Sequence, residues 1–311
     1  MRQQTKQAIL IWNPGAGRLN MEGEVREAVQ VFEAAGWTIR QERSQSAVHV
    51  TELARQAAAS AYEAVFIAGG DGTVGRAVEG LAGSETAVGV LPTGTTNVWA
   101  QEMGLPATGL RAAVESARRL ANGPRVRMDV GLCNGKTFLL WAGFGLDARV
   151  VDQLERKRHR FMKQLNEVYY ALTILRTSAG WRGTPMHVST GAQTVQGHFM
   201  LVIAGNIRQY GGGLATLSPH AKWDDGKMEL WLFHSGKQGG IPVVVRHVWN
   251  LVRGLHVKDR NVTCLPFQQA QITFETGEWM HLDGEPCGQV QTVELAVWEQ
   301  GLWVIVPERG I

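Results

Sequence analysis

The sequence predicts an α/β domain built on a parallel sheet, followed by an antiparallel β-sandwich. Up to about residue 125, short apolar runs alternate with helical patterns, and each run ends in a glycine-rich turn. Beyond that point, strand-like runs follow one another closely. The first pattern is typical of a parallel sheet covered on both faces, and the second of a sandwich. We therefore predict a domain over residues 1–127 and another over 128–300, with residues from about 300 to 311 packing back on the first.

The elements of the first domain follow from the spacing of its apolar residues. Ala8–Trp12 is a continuous apolar run, as expected of a strand buried on both faces. Apolar residues then recur at helical spacing over Val25–Phe32, and Gly36 supplies a helix stop. The runs 64–68 and 87–91 predict two further strands. Ligands of such sheets bind beyond the carboxyl ends of the strands, where these glycine turns lie.

The second half begins with a hairpin signal. Asn134 and Gly135 separate the strand-like runs 125–132 and 137–141. The segment Gly131–Thr137 resembles a P-loop, but it lacks one residue between its glycines and no helix follows it, so we interpret it as a turn. The remaining strand-like runs are 186–189, 194–204, 228–233, 262–265, 271–274, 290–297 and 302–306, and the helical stretches are 151–178 and 242–254.

Composition excludes several classes of protein. Hydrophobic residues make up 44% and charged residues 19%, which argues against disorder. The formal net charge of +3 is too small to indicate a nucleic-acid binder. The apolar stretch 138–146 is far shorter than a membrane-spanning helix, and the amino terminus lacks a secretory pattern. Three widely separated cysteines indicate neither disulfides nor zinc. We expect a cytoplasmic protein that contacts the inner membrane face at most peripherally.

The first candidate site is the glycine turn after the second buried run, made of Gly69, Gly70, Asp71, Gly72 and Thr73, with Gly75 following. Glycines at a strand end let backbone amides approach an anion, and the following helix adds its positive amino end. Asp71 could hold Mg²⁺ or water against phosphate oxygens. The alternative is a tight structural turn, but three glycines with Asp and Thr favour phosphate binding.

Two other turns have the same polarity. Residues 91–97, which include Gly94, Thr95 and Asn97, follow the next strand and could close around the same polyphosphate. Asn13 to Gly17 form another glycine turn, for which a plain βα loop is an equally good interpretation.

The second half contains two acidic turns and a basic cluster. Trp223–Gly226 offers paired carboxylates, and His281–Glu285 places an acid on each side of a glycine. Either could be an ordinary turn; the first could instead bind a hard cation and the second could activate a hydroxyl. The basic cluster Glu155–Arg160, with Lys163, could be a solvated face or a contact for anionic lipid headgroups, because Tyr169, Tyr170, Leu172, Ile174, Leu175 and Trp181 follow it.

Taken together, these segments resemble the diacylglycerol kinase catalytic-domain family, which includes bacterial lipid kinases and sphingosine kinases. The resemblance runs nearly the whole chain and comprises, in order, residues 13–17, 69–73, 91–97, 142–148, 211–213 with 218–221, 224–226 and 283–285. Ordered matches of this number are far more specific than any single motif.

The resemblance implies a nucleotide-binding α/β domain similar to that of NAD kinase and phosphofructokinase, a β-sandwich, and ATP in the cleft between them. By position it implies that Asp283 is the general base, with Glu285 beside it. It also implies that Asp225, with the carbonyls of Lys222 and Lys227, holds a structural Mg²⁺. The implied ATP contacts are Asn13, Ser44, Gly69 to Gly75, Gly94, Thr95 and Asn97.

The sequence departs from the family pattern at two positions. Val98 stands where an acid is common, and Ala16 stands where many members have serine. The expected function is transfer of the γ-phosphoryl group of ATP to a hydroxyl of diacylglycerol or a related lipid alcohol. An NAD kinase-like or other small-molecule kinase, or a regulator that binds lipid or nucleotide without turnover, are the alternatives. An exposed sheet edge could pair two copies of the chain as a homodimer.

Overall fold

The structure, a computed structural model, describes residues 6–17, 21–158, 173–236 and 239–308. The chain divides into two compact units: residues 1–130 with 299–311, and residues 131–298. The predicted domains are 1–127 and 128–300, with residues from about 300 to 311 packing on the first, and these bounds stay predictions.

The first unit is built on parallel strands. They are β1 (Lys6–Trp12), β2 (Trp37–Arg43), β3 (Ala64–Gly69), β4 (Ala87–Pro92) and the end of β15 (Glu285–Ile305). The sheet order is β15-β4-β3-β1-β2. Ala8 lies opposite both Ile39 and Ala64, Ala64 lies opposite Ala87, and Val304 of β15 faces Val88, every pair being parallel. β3 and β4 are buried along their whole length, as expected of strands in a sheet that helices cover.

The described residues of the first unit form five helices, and the first follows the apolar spacing of the sequence. The first helix buries Val25, Ala28, Val29 and Phe32, and the Phe32 ring stacks on Phe66 of the sheet with centroids 3.9 Å apart. The helices are α1 (Glu22–Ala34), α2 (Ala47–Ala59), α3 (Asp71–Leu81), α4 (Val98–Glu102) and α5 (Ala112–Leu120).

The second unit is antiparallel, as the many short strands predict. Its strands are β5 (Arg125–Cys133), β6 (Lys136–Phe138), β7 (Trp141–Gly145), β8 (Thr184–Ser189), β9 (Thr194–Gly205), β10 (Gln209–Tyr210), β11 (Ala215–Thr216), β12 (Met228–His234), β13 (Val262–Phe267), β14 (Gln269–Leu282) and most of β15 (Glu285–Ile305). They run in the order β13-β12-β9-β7-β14-β15, and β8 pairs with both β9 and β14. The chain passes between the units within β5 and again within β15.

The hairpin predicted at Asn134 and Gly135 is confirmed. Cys133 of β5 pairs with Lys136 of β6, and both turn residues have positive φ, as a type I′ turn requires. The P-loop-like segment is therefore a hairpin with no helix after it.

Two long helices interrupt the strands of the second unit. Helix α6 spans Leu146–Arg158, starting earlier than the predicted residue 151, and residues 173–178 are helical as well. Helix α7 spans Gly240–Val252. His159, Arg160 and Lys163 of the predicted basic cluster lie outside the described residues, as do Tyr169, Tyr170 and Leu172. Within the described part of the chain, no helix has the length and apolar character needed to cross a bilayer.

Candidate active site

The three glycine turns of the first unit contact one another at the carboxyl ends of β1, β3 and β4. Asn13 Nδ2 donates a hydrogen bond to Thr73 Oγ1 at 2.9 Å, and the Thr93 amide donates to the Gly69 carbonyl at 3.2 Å. A Cβ on Gly17 would lie 2.2 Å from the Thr93 carbonyl oxygen. Parallel strands bring their carboxyl ends to one edge of a sheet, so turns separated in sequence meet there.

Gly70 and Gly94 approach each other backbone to backbone. A Cβ on Gly94 would lie 2.5 Å from the Gly70 Cα, and a Cβ on Gly70 would lie 3.3 Å from the Gly94 Cα. Only residues without side chains allow this approach. Gly70 also caps α3, an 11-residue helix, and a helix amino terminus beside bare backbone is suited to an anion.

Asp71 has a role that its sequence position does not reveal. Its Oδ1 accepts a hydrogen bond from the Trp99 amide, and its Oδ2 accepts from the Val98 amide, each at 3.0 Å. The Thr96 hydroxyl donates to Oδ2 as well. Asp71 therefore caps the short helix α4 from 27 residues upstream. A carboxylate has about four acceptor sites, so one is left for the predicted Mg²⁺ role, which stays a prediction.

The Asn97 side chain stabilises the turn at 93–97 through hydrogen bonds to its backbone. It is buried in a left-handed conformation, with φ of 50°. Its side chain bonds both the amide and the carbonyl of Gly94 and also the Ala107 carbonyl. These bonds use both N–H groups of the side chain and one acceptor site of Oδ1 within the protein. The predicted contact of Asn97 with a nucleotide stays a prediction. Thr95 is exposed at the tip of the turn.

Thr93 has a buried hydroxyl group that could bind a ligand. Its side chain is 5% exposed, and its Oγ1 has no hydrogen-bond partner within the described ranges. An unpaired buried hydroxyl costs about 1–3 kcal/mol. A phosphate or ribose oxygen at these turns would satisfy it.

The other predicted contacts lie around this cluster. The Ser44 amide donates to the Trp12 carbonyl at 2.8 Å, which places Ser44 beside the residue preceding Asn13. Gly72 lies in the first turn of α3, and Gly75 lies further along the same helix.

In the second unit, Asp283 lies in a two-residue turn between β14 and β15. Leu282 pairs with Glu285, and Asp283 and Gly284 have φ of 51° and 83°, as in a type I′ turn. The half-buried Glu285 follows as the first residue of β15.

Three consecutive backbone amides hold the Asp283 carboxylate. Its Oδ2 accepts from Leu139 at 2.8 Å, and its Oδ1 accepts from Leu140 at 2.8 Å and from Trp141 at 3.0 Å. Burial raises the pKa of Asp283 to about 6, although these amide bonds act to lower it. A carboxylate with this pKa suits a general base near neutral pH, since it is ionised yet still basic.

A buried His–Asp–Tyr cluster, which the sequence did not predict, lies next to this turn. His281 Nε2 lies 2.6 Å from Asp147 Oδ2, and the Tyr210 hydroxyl donates to the same oxygen at 2.5 Å. The Gly284 amide donates to His281 Nδ1 at 3.3 Å. Burial favours the neutral Asp147, but the attraction of His281 and both hydrogen bonds outweigh it and hold the pKa of Asp147 below its usual value.

Gly143 is the residue whose place in the sequence motif could have indicated this cluster. A Cβ on Gly143 would lie 2.2 Å from His281 Nε2 and 2.8 Å from Asp147 Oδ2. Gly143 and Asp147 both belong to the quoted motif at 142–148, and His281 precedes Asp283 by two residues. Sequence alone could not show that the two segments pair, which they do through β7 and β14.

The predicted Mg²⁺ turn borders a small cleft of about 90 Å³. Asp225 and Glu229 line it together with Lys222 and Lys227, and Asp225 Oδ1 accepts from the Lys227 amide at 3.2 Å. In the parts of the chain that the structure describes, no three acidic, histidine or cysteine side chains gather as metal ligands. A cation here would rely on one carboxylate and backbone carbonyls, which suits a hard ion. The site stays a prediction.

Comparison with known proteins decides the family. The model of the diacylglycerol kinase catalytic domain matches residues 7–133, and that of the YegS C-terminal NAD kinase beta sandwich-like domain matches residues 141–306. The chain belongs to the family of diacylglycerol and YegS-like lipid kinases. The resemblance inferred from the ordered motifs is confirmed.

Curated relatives span nearly the whole chain. A diacylglycerol kinase of Bacillus subtilis is 26% identical and covers 92% of this chain and 91% of its own length. A probable lipid kinase YegS-like protein of Chromohalobacter salexigens is 30% identical, covering 86% of each. The crystal structure of a diacylglycerol kinase from Bacillus anthracis has the same fold, with a TM-score of 0.78 at 22% identity over 98% of both chains.

Proposed function

We propose that this member of the lipid kinase family transfers the γ-phosphoryl group of ATP to a hydroxyl of diacylglycerol or a related lipid alcohol. The observation that carries the proposal is the meeting of three glycine turns at the amino end of α3. Together with family membership, it supports a polyphosphate as the ligand of the first unit.

The glycine turns supply backbone rather than side-chain chemistry. Gly69, Gly70 and Gly94 leave room for a phosphate chain to reach main-chain amides, and the α3 dipole favours negative charge. Phosphoryl transfer depends mainly on alignment and on stabilising charge on the transferring group. The hydrogen bond between Asn13 and Thr73 fixes the spacing between the turn after β1 and the turn after β3.

Asp283 is the proposed general base. Three amides fix its carboxylate, which leaves about one acceptor site for the proton of an attacking hydroxyl. Proton removal by a positioned base contributes about 10²- to 10⁴-fold to such reactions. Glu285, on the opposite side of Gly284, is proposed to lie near the same hydroxyl. Mg²⁺, when bound with ATP, would neutralise phosphate charge; Asp71, with one free acceptor site, could bind its hydration water.

Incubating the purified protein with γ-labelled ATP and a mixed bacterial lipid extract, then separating the products, tests this function. Label in a phospholipid product supports the proposal and identifies the acceptor class. Label in NADP or a sugar phosphate, when those acceptors are supplied, would favour the small-molecule kinase. Failure to transfer label to any acceptor, with ATP still bound, would favour a non-catalytic regulator.

A further inference from the structure

Helix α7 is amphipathic, but its two faces have different surroundings. One face packs into the second unit: Val244 joins the apolar cluster of Leu146, Val150 and Met200, and His247 Nε2 lies 2.8 Å from the His234 carbonyl. Because this face packs against the second unit, the opposite face of the helix points away from the unit.

The opposite face is apolar and exposed. Its large side chains recur at positions i, i+4, i+7, i+8 and i+11, which all fall on one side of a helix. This apolar stripe consists of Ile241, Val245, Val248, Trp249 and Val252, which are 39%, 52%, 46%, 56% and 59% exposed. Single exposed apolar residues are normal on soluble proteins, whereas a contiguous patch marks a contact surface.

Positive charge borders the apolar stripe. Arg246, Arg253, Lys258 and Arg260 lie in or just after α7, and Asp259 is the one acid between residues 240 and 260. The Asp259 carboxylate is already bonded to Asn250 and Asn261 and lies 3.9 Å from Arg246. The Arg253 guanidinium lies over the Trp249 ring, 4.3 Å from its centroid. Tryptophan beside arginine is typical of the membrane interface.

We propose that the apolar stripe of α7 is a membrane-docking surface that inserts into the headgroup region of an anionic bilayer. A helix of 13 residues is about 20 Å long and would lie in the plane of the interface, with its arginines among the lipid phosphates. A second copy of the chain fits less well, because a two-fold contact would bring the same cationic border against itself. The surface deepens the proposed function, since it would hold the protein where lipid acceptors are found.

The test measures binding of the full chain to vesicles without ATP, so it does not depend on turnover. Vesicles of phosphatidylcholine alone are compared with vesicles that also contain phosphatidylglycerol. The double variant Val245→Gln/Trp249→Gln should partition about a hundredfold more weakly, because each large apolar side chain contributes about tenfold when buried. Arg253→Glu should weaken binding severalfold, and only to the anionic vesicles, with the difference disappearing at high salt.

The matched control is Leu110→Gln, which removes an apolar side chain that is 86% exposed in the first unit and should leave vesicle binding unchanged. Light scattering reports whether the double variant changes the oligomeric state. Unchanged vesicle binding by the double variant, absence of binding by the wild type, or a wild-type dimer that the double variant dissociates would each overturn the proposal. Phosphorylation of a soluble short-chain acceptor separates the two ideas: vesicle binding without such turnover contradicts only the proposed function, and turnover without vesicle binding contradicts only the docking surface.

Discussion

The Nε2 atom of the buried His281 lies 2.6 Å from Oδ2 of Asp147, and the Gly284 amide donates to the other ring nitrogen. Since Nδ1 accepts a bond, Nε2 carries a proton that points at Asp147. The histidine therefore links the start of α6 to the turn that carries Asp283 through these two hydrogen bonds. These bonds are separate from those that the amides donate to the Asp283 carboxylate.

Asp147→Asn should destabilise the second unit. It replaces a charged acceptor of two hydrogen bonds by a neutral amide, and hydrogen bonds to charged groups contribute about 1.5–3 kcal/mol each. Tyr210→Phe removes one of the two bonds to this carboxylate without touching His281, so it should cost about 1.5–3 kcal/mol and less than Asp147→Asn. Urea unfolding of both variants measures the difference, and a larger loss for Tyr210→Phe would contradict the central position of Asp147.

Asp71→Ala should loosen the turn at 93–97. The change leaves the amides of Val98 and Trp99 without their acceptor, and loss of a helix cap costs about 0.5–2 kcal/mol. We expect a lower melting temperature together with weaker ATP binding by calorimetry. Glu79→Ala, which removes an exposed acid of the same helix, is the control and should change neither. Normal stability of Asp71→Ala would show that its capping bonds contribute little.

Gly94→Ala should impair ATP binding more than any surface change. Its Cβ would lie 2.5 Å from the Gly70 Cα and 2.7 Å from Asn97 Oδ1, so two turns must separate. Overpacking of this kind costs about 1–3 kcal/mol. Gly23→Ala is the control, because no atom lies within 4 Å of its Cβ and the residue is helical. We expect Gly23→Ala to retain wild-type affinity; equal affinity in both variants would remove Gly94 from the nucleotide site.

Turnover should depend on pH through Asp283. A pKa raised to about 6 means that the carboxyl is protonated at pH values where an ordinary aspartate is already ionised. Because a general base must be ionised, kcat/KM should fall about tenfold for each pH unit below that pKa and level off above it. A profile that stays flat from pH 5 to pH 8, with ATP binding intact, would argue against this group as the base.

Much of the fold was readable from the sequence because local patterns and packing agree. The continuous apolar runs at 64–68 and 87–91 became fully buried strands, the run at 8–12 became a strand buried from Ala8 to Ile11, and the spacing from Val25 to Phe32 became the buried face of α1. The hairpin at Asn134–Gly135 followed from turn chemistry alone. Long-range pairing was less accessible: no local pattern says that β7 lies against β14, which is what brings His281 to Asp147.

The roles of acidic residues were the least predictable part of the site. Asp71 is surrounded by glycines and reads as a metal ligand, yet it caps a helix that begins 27 residues later. Asp283 reads either as a turn residue or as a base, and the structure gives it the turn conformation together with a raised pKa. The role of each acid depends on which backbone amides from distant segments donate hydrogen bonds to it. Sequence spacing does not reveal those contacts.

Lipid phosphorylation by the wild type and by Asp283→Asn, measured side by side, tests the account most directly. The asparagine would direct an N–H group at the Leu139 amide, so melting temperature and ATP affinity must be measured on the same preparations. We predict that the variant still binds ATP and that its turnover, corrected for any folding loss, falls by about 10²- to 10⁴-fold. Turnover equal to that of the wild type would contradict the assignment of Asp283 as the base.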